Sequence, residues 1–354
     1  MTPEDNQSSQ IGMVRASAAA VAPRNGNLSR VRALRFQTPG FDMGVWREIA
    51  ELGWIGIALP EDQGGVGFGM GEAVALTEEL GRGLTPEPLI AASFSAGLLA
   101  AAGQAELLGD LLVGKKLVST SWAAAADAMV PPQQGERNRL APMAGAANVY
   151  LLPEEVGGEL RLRLVLADDV ETLQEPLQDG GFAASIIVPP GAGRTLPGDF
   201  RPAFAKAYDQ AVLATSSYLL GLSERAFEIT LEYLKIRRQF DQPLAAFQAL
   251  QHRVVDMKIQ LTLCRASVEG AAATLDAGAD DTARALVVSR AKARAAETTL
   301  LVAREAIQLH GAIGYTDEYD IGLFVRKAMV VANQYGSAAS HRRRYVGLLG
   351  DTAA

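Results

Sequence analysis

Two long apolar stripes in the second half of the chain constrain its fold more than any other feature. In each stripe, apolar or small residues recur at spacings of three and four, the period of one face of an α-helix. The first stripe comprises Phe247, Leu250, Val254, Met257, Leu261, Cys264 and Val268. The second comprises Leu286, Ser289, Ala293, Ala296, Leu300, Ala303 and Ile307. Gly278 marks a short turn between them, so the sequence predicts two antiparallel helices of a bundle.

Further helical segments predict that residues 201–354 form a four-helix bundle. A long helix is expected from about Ala205 to Arg238, and Pro243 prevents it from continuing. Two shorter helical segments are expected at 320–334 and 337–349.

The first third of the chain predicts a tail followed by helices. Residues 1–28 are rich in Ser, Asn, Gln and Ala, which predicts a flexible tail. Residues 29–116 predict a helical domain. Within it, Trp46 and Ile49 fall on one helical face, and Gly53 can end that helix.

Residues 117–200 predict a small middle β-domain. Leucines alternate with arginine or valine from Leu160 to Leu166, as in a half-buried strand. Further strands are expected at Asn148–Leu152 and Ala184–Val188, with Pro and Gly between them. The expected fold is therefore mainly α with a small, mostly antiparallel β-domain.

Composition excludes several classes of function. The formal net charge of −7 at pH 7 argues against nucleic acid as the main partner. The single cysteine, Cys264, lies on an apolar stripe, which favours core packing over a reactive thiol and excludes a disulfide within the chain. His252, His310 and His341 are too scattered for a zinc motif. One cysteine also fits a reducing cytoplasm.

Several segments allow more than one interpretation. Pro60–Gly69 could cradle a phosphate, but no Gly-Lys-Ser/Thr follows, so a simple loop is favoured. The uncharged stretch Pro88–Ala105 favours a buried helix over a membrane span, which needs ~20 strongly apolar residues. His252 lies off the apolar stripe and predicts a helix surface. His341 and Arg342–Arg344 form a basic run, expected as a solvated face near a helix C-terminus, with phosphate binding as the lesser alternative.

The ordered blocks of this sequence resemble the acyl-CoA dehydrogenase family along nearly the whole chain after about residue 30. The amino-terminal blocks read WREIAELGWIGIALPEDQGGVGFG and LTEELGR. The carboxyl-terminal blocks read GLSERAFEITLEYLKIRRQFDQPLAAFQALQHRVVDM, then QLHGAIGYTDEY and VRKA. The resemblance implies an N-terminal helical domain, a middle β-domain and a C-terminal four-helix bundle. It also implies FAD bound across a subunit interface, where the flavin takes a hydride from the acyl-CoA β-carbon while a carboxylate removes the α-proton.

The resemblance assigns contacts with FAD to the carboxyl-terminal blocks. Arg237 and its neighbours match the stretch that reaches the FAD of an adjacent subunit, where a guanidinium can grip a pyrophosphate. The family usually has two adjacent glycines where this chain has Gly311 and Ala312. The implied cofactor residues are Arg237, Arg238, Gln239, Phe240, Gln248, Gln308, Gly311 and Ala312.

The catalytic base is the main departure from the family. Gly336 follows Tyr335 where the resemblance places a glutamate, and glycine has no side-chain proton acceptor. The alternative position on an earlier helix is Ala211, which is followed by Val212 instead of arginine. Asp209 is the nearby acid, and it matches a residue that touches substrate. We expect a weak substrate contact or a helix N-cap from it, and a relocated base remains an alternative.

The flavin side is altered as well. The family's Thr-Glu-Pro-Gly-Ala-Gly-Ser segment is not recognisable around Ser119–Ala123, and its Trp-Ile-Thr segment has no match between Leu140 and Leu152. Ala338 and Ser340 stand where a threonine and a glutamine normally contact FAD.

The retained and lost residues together predict half of a shared site. The resemblance implies a subunit of a heteromeric, α2β2 acyl-CoA dehydrogenase that lacks its own base and completes the FAD site of a larger catalytic partner. It further implies a CoA thioester substrate, in paired enzymes a bulky steroid-type one, and electron-transfer flavoprotein as an electron acceptor. Two alternatives remain open: a self-sufficient dehydrogenase with a relocated base, and a flavin-free structural or binding subunit.

Overall fold

The computed structural model describes residues 3–352 apart from 23–26, 122–128, 130, 132–137, 142 and 144. The helices are α1 Pro3–Val21, α2 Ser29–Leu34, α3 Met43–Glu51, α4 Met70–Arg82, α5 Leu89–Ala101, α6 Ala105–Leu112, α7 Arg201–Ile236, α8 Gln248–Asp276, α9 Asp281–His310, α10 Ile321–Val331 and α11 Ala338–Thr352. The strands are β1 Val118–Thr120, β2 Asn138–Ala141, β3 Val149–Val156, β4 Glu159–Leu166, β5 Glu171–Pro176, β6 Phe182–Ile187, β7 Arg194–Leu196, β8 Arg238–Gln239 and β9 Gln242–Pro243. The predicted class, mainly α with a small β-region, is confirmed.

The chain divides into two compact units, each assembled from separate stretches of sequence. The first combines Met1–Leu28, Val74–Thr85 and Leu213–Ala354. The second combines Ser29–Ala73 and Pro86–Val212.

The helical pair predicted from the two apolar stripes forms the centre of the first unit. Helices α8 and α9 pack together, and α9 also packs against α10 and α11. Gly278 has a left-handed φ of 75° just after α8, and Asp280 caps α9 by accepting a hydrogen bond from the Ala283 amide at 2.8 Å. Cys264 is buried as predicted, and burial raises the pKa of its thiol to about 12.

Helices α4 and α7 cross in the first unit through two glycines. A Cβ built on Gly81 would lie 2.1 Å from the carbonyl oxygen of Tyr218, and one built on Gly221 would lie 1.9 Å from that of Glu78. The backbones therefore touch where side chains would normally separate them. Beside the crossing, Arg265 of α8 donates to Glu78 and Glu224, both at 2.7 Å.

The predicted tail is wrong for most of its length, because α1 occupies Pro3–Val21. Val14 and Ala18 of this helix are buried, and Arg15 donates to Glu78 at 2.8 Å and to Glu79 at 2.6 Å. A polar sequence with a weak apolar pattern becomes helical here because its tertiary partners supply both burial and charge.

The second unit contains the predicted β-region as two packed sheets. One sheet has the order β1-β3-β4-β7, in which β1 and β3 are parallel and the other pairs antiparallel; the other has the order β2-β6-β5 and is antiparallel. Tyr150, Leu152 and Val165 of the first sheet share one core cluster with Ala184 and Ile186 of the second. Alternating residues of each strand thus face a common interior.

The N-terminal part of the second unit contains the helix cap and buried face that its sequence predicts. Asp42 caps α3 through a 2.7 Å hydrogen bond from the Gly44 amide, and Trp46 and Ile49 are fully buried on its inner face. Segment 60–69 is a loop that folds back on itself, with the Gly65 amide donating to the carbonyl of Pro60 at 3.0 Å. Among the described residues, none of the helices is long and apolar enough to cross a membrane.

Candidate functional site

A tight hairpin follows α7 and begins the candidate cofactor site. Strands β8 and β9 pair across a two-residue turn, Phe240 and Asp241, both with positive φ, 51° and 63°. Positive φ at both central residues is the geometry of a type I′ turn. The guanidinium of Arg238 closes the hairpin by donating to the carbonyl of Asp241 at 2.7 Å. The hairpin therefore fixes where the residue before it, Arg237, emerges from α7.

A cavity of about 360 Å³ lies beside this hairpin in the first unit, and we refer to it as the Arg237 cavity. Its lining residues are Tyr233, Arg237, Gln239, Leu244, Leu250, Arg253, Gln308, Leu309, His310, Gly311 and Ala312. The volume is near the lower end of the range for small-molecule sites, ~300–1,000 Å³. It suits part of an extended ligand.

The structure brings together five of the residues implied by the resemblance and leaves three outside. Those that line the cavity are Arg237, Gln239, Gln308, Gly311 and Ala312. Arg238, Phe240 and Gln248 do not line it: Arg238 closes the hairpin, Phe240 is 86% exposed at its tip, and Gln248 is exposed at the start of α8. Phe240 instead packs edge-to-face on Phe247, with ring centroids 6.2 Å apart.

Two arginines line the cavity, and only one of them is paired with a carboxylate among the described residues. The Nε of Arg253 donates to Glu305 at 2.6 Å, and this hydrogen bond raises the pKa of Arg253. Within the described part of the chain, no hydrogen bond or ion pair engages the guanidinium of Arg237. Arg237 thus offers an uncompensated positive charge to an anionic ligand.

One side of the cavity is aromatic, which the sequence analysis missed. The rings of Tyr233 and His310 stack with centroids 4.4 Å apart, and Tyr319 lies 5.0 Å from His310. His310 Nδ1 donates to the carbonyl of Ala306 at 2.7 Å, and burial lowers the pKa of the imidazole, so the ring is neutral. The helical spacing of Tyr233 and Arg237 was a usable signal, whereas the contact with His310 joins residues far apart in sequence.

Gly336, which the resemblance places at the position of the family's catalytic glutamate, lies in the turn between α10 and α11. Tyr335 and Gly336 both have positive φ, 56° and 100°. The ammonium of Lys292, itself fully buried in α9, donates to the carbonyl of Gly336 at 3.0 Å. Nearby, Ser340 hydrogen-bonds the Ser337 hydroxyl at 3.0 Å.

His341 and the basic run differ from the prediction. His341 has no exposed surface, and its Nε2 donates to the carbonyl of Tyr335 at 2.8 Å. Burial lowers the pKa of His341 to about 3, so the ring is neutral. Because α11 spans Ala338–Thr352, the run Arg342–Arg344 lies in the first half of the helix and not at its C-terminal end; Arg342 and Arg343 are exposed, as predicted.

The second base position lies on the part of α7 that belongs to the second unit. Ala211 and Val212 are buried, and Asp209 has no exposed surface. Since Asp209 lies well inside Arg201–Ile236, the N-cap interpretation is wrong. In the middle region, Trp122 and Ala123 of the unrecognisable Ser119–Ala123 stretch lie outside the described residues.

The donor set of the Arg237 cavity fits the pyrophosphate of a dinucleotide such as FAD. A free guanidinium, two amide side chains and a glycine backbone are the groups that such an anion accepts hydrogen bonds from. A Cβ placed on Gly311 would meet nothing within 4 Å, so the backbone there is open to approach. Among the described residues, no cluster of His, Cys, Asp or Glu could hold a metal ion.

Family models and known proteins match this chain along most of its length. Residues 204–346 match the acyl-CoA dehydrogenase C-terminal domain, and residues 8–113 match the acyl-CoA dehydrogenase N-terminal domain. The chain is 29% identical over 342 residues to acyl-CoA dehydrogenase IpdE2 of Mycolicibacterium smegmatis, covering 94% of this chain and 96% of that protein.

Two solved structures are similar over essentially their full length. A variant of the Tcur3481–Tcur3483 steroid ACAD superposes with a TM-score of 0.86 at 26% identity, covering 99% of both chains. The ChsE4–ChsE5 complex from Mycobacterium tuberculosis contains a chain that superposes with a TM-score of 0.85 at 25% identity, covering 100% of this chain and 99% of that one.

Proposed function

Because the chain belongs to the acyl-CoA dehydrogenase family, we propose that it is a base-lacking subunit of a heteromeric enzyme and completes the FAD site of a catalytic partner. One observation supports this proposal: the Arg237 cavity has a donor set that fits a pyrophosphate, whereas glycine stands at position 336, where the resemblance places the base. At position 336 the backbone has a φ of 100° and presents no acceptor side chain. Meanwhile Arg237 is free to bind an anion.

The residues of this chain have defined tasks in the proposal. Arg237 would bind the cofactor pyrophosphate, and Gln239 and Gln308 would orient it through their amides. The open backbone at Gly311, followed by Ala312, would leave room for it to approach. Bound FAD supplies the hydride acceptor for introducing an α,β double bond into a CoA thioester. The carboxylate that removes the α-proton belongs to the partner.

The proposed partners follow from the similar complexes. The similar structures are of a steroid ACAD and of the ChsE4–ChsE5 complex. On this basis, and on the family resemblance, we assign this chain a larger partner in an α2β2 assembly and a bulky, steroid-type acyl-CoA. An electron-transfer flavoprotein would reoxidise the flavin. A cytoplasmic location accords with a single buried cysteine.

The test compares the chain alone with the chain co-produced with its catalytic partner. We expect the isolated chain to carry little FAD and to dehydrogenate no CoA thioester, whereas the complex carries one FAD per pair of subunits and is active. Flavin absorbance, native mass and reduction of an artificial electron acceptor measure these properties. A fully loaded, active flavoprotein made of this chain alone contradicts the proposal.

A further inference from the structure

A fully buried lysine, Lys292, lies under the turn that contains Gly336. Lys292 of α9 has no exposed surface, and its Nζ donates to the carbonyl of Ala332 at 2.7 Å and to that of Gly336 at 3.0 Å. Both acceptors are main-chain carbonyls. Burial is the cause that lowers the pKa of this lysine to about 7. Within the described part of the chain, no carboxylate pairs with Lys292. A lysine buried in this way is costly, so we looked for what its two hydrogen bonds hold in place.

A second buried side chain holds the same turn from α11. The Nε2 of His341 donates to the carbonyl of Tyr335 at 2.8 Å, and its backbone amide donates to the carbonyl of Ser337 at 3.0 Å. Main-chain carbonyls of the turn after α10 thus accept hydrogen bonds from α9 and α11. The cation also lies where the dipole of α10 favours positive charge.

The backbone held in this way has an unusual conformation. Tyr335 has a φ of 56° with its ring buried, and Gly336 has a φ of 100°. Residues with side chains rarely adopt such angles unless the surroundings enforce them. The hydrogen bonds from Lys292 and His341 act on the carbonyls of these two residues and therefore on their peptide planes.

We propose that Lys292 and His341 are positioning residues that lock segment 332–337 in a conformation that admits glycine, and not glutamate, at position 336. This inference rests on the proposed function, which identifies position 336 as the family's base position. If it is correct, the absence of a base depends on the backbone conformation of the turn and on the buried side chains that hold it, and not only on which residue occupies position 336.

Hydrogen exchange in the full chain tests the lock. Lys292→Met keeps the length of the side chain and removes its donors, and we expect amides in 332–341 to exchange at least about tenfold faster, while amides in 89–101 remain unchanged. Lys258→Met is the matched control, because Lys258 is exposed on α8, and it should leave both segments unchanged. Unchanged exchange in 332–341 of Lys292→Met, or an equal rise in both segments, overturns the proposal.

A second pair of variants keeps the test decisive if Lys292→Met does not fold. His341→Gln retains an N–H donor for the Tyr335 carbonyl, and His341→Leu does not. We expect accelerated exchange of 332–341 in the leucine variant and recovery in the glutamine variant; equal exchange in the two overturns the proposal. Neither experiment needs FAD or the partner. A negative exchange result would therefore leave the proposed subunit role untouched, and an active isolated chain would leave the exchange result untouched.

Discussion

The α-carbon of Gly221 in α7 approaches the backbone of Glu78 in α4 so closely that a methyl group added to the glycine would lie 1.9 Å from the Glu78 carbonyl oxygen. That carbonyl belongs to a helix backbone and cannot rotate away as a flexible side chain could. The crossing of α4 and α7 therefore depends on a hydrogen atom at position 221.

Gly221→Ala should destabilise the protein, because the two helices must separate to admit the methyl group. Overpacking of this kind costs about 1–3 kcal/mol of the free energy of unfolding. Gly270→Ala is the control: a Cβ there meets nothing within 4 Å, and alanine favours the helix by about 0.5–1 kcal/mol. Urea unfolding of both variants gives the comparison, and equal stability of Gly221→Ala and the wild type would refute the contact.

Arg237→Ala should lower the FAD content of the heteromeric complex without dissociating its subunits. Charge-assisted hydrogen bonds contribute about 1.5–3 kcal/mol each, so FAD should bind roughly 10- to 100-fold more weakly. Arg304→Ala is the control, since Arg304 is exposed on α9 and donates to a carbonyl of its own helix. FAD retained after gel filtration measures the effect. Undiminished flavin in Arg237→Ala would favour the flavin-free structural alternative.

Gly336→Glu should reduce stability and give no dehydrogenation by the isolated chain. A side chain at φ 100° strains the backbone by about 1–3 kcal/mol. Gly347→Glu introduces the same side chain at an exposed helical glycine with open space around it, and it should be tolerated. Unfolding midpoints and turnover with added FAD are the measurements. Activity appearing in Gly336→Glu would show that the base position is functional.

Asp209→Asn separates the proposed function from a dehydrogenase with a relocated base. Asp209 is fully buried in α7, and if the partner supplies the base, turnover per bound FAD in the assembled complex should be unchanged. A general base contributes typically 10²–10⁴-fold to the rate. A loss of that size with intact assembly would therefore assign the base to Asp209.

Stability should rise with pH between about 7 and 9.5 because of Lys292. Its pKa is about 7 in the folded chain and 10.5 ordinarily, so the unfolded state binds more protons in this window. His341 titrates at lower pH and does not contribute in this window. Urea midpoints across this range should give a slope that Lys292→Met flattens. Parallel curves for the two proteins would contradict the buried cation.

The features that could be predicted from the sequence are those in which apolar residues repeat at the spacing of one helix or strand. The stripes of α8 and α9, the stop at Gly278 and the strand at Leu160–Leu166 each repeat within a single element, so one stretch of sequence contains the whole signal. Helix α1 was missed because Arg15 pairs with Glu78 and Glu79, which lie far along the chain.

The candidate site divides in the same way. Arg237 and Gly311 belong to contiguous blocks, so a resemblance could identify them, and both line the cavity. Arg253 and His310 became visible through contacts between α7, α8 and α9. Lys292 lies among alanines in a helical pattern, and its partners are carbonyls, which no side-chain motif encodes.

The turn at Gly336 also bears on the evolutionary history of the chain. A single base change converts some glycine codons into glutamate codons, so mutation alone could restore the acid at this position. The backbone at φ 100° penalises that reversion. If a partner supplies the base, as we propose, that arrangement is hard to reverse, because an acid at position 336 would require several buried positions to change together with it.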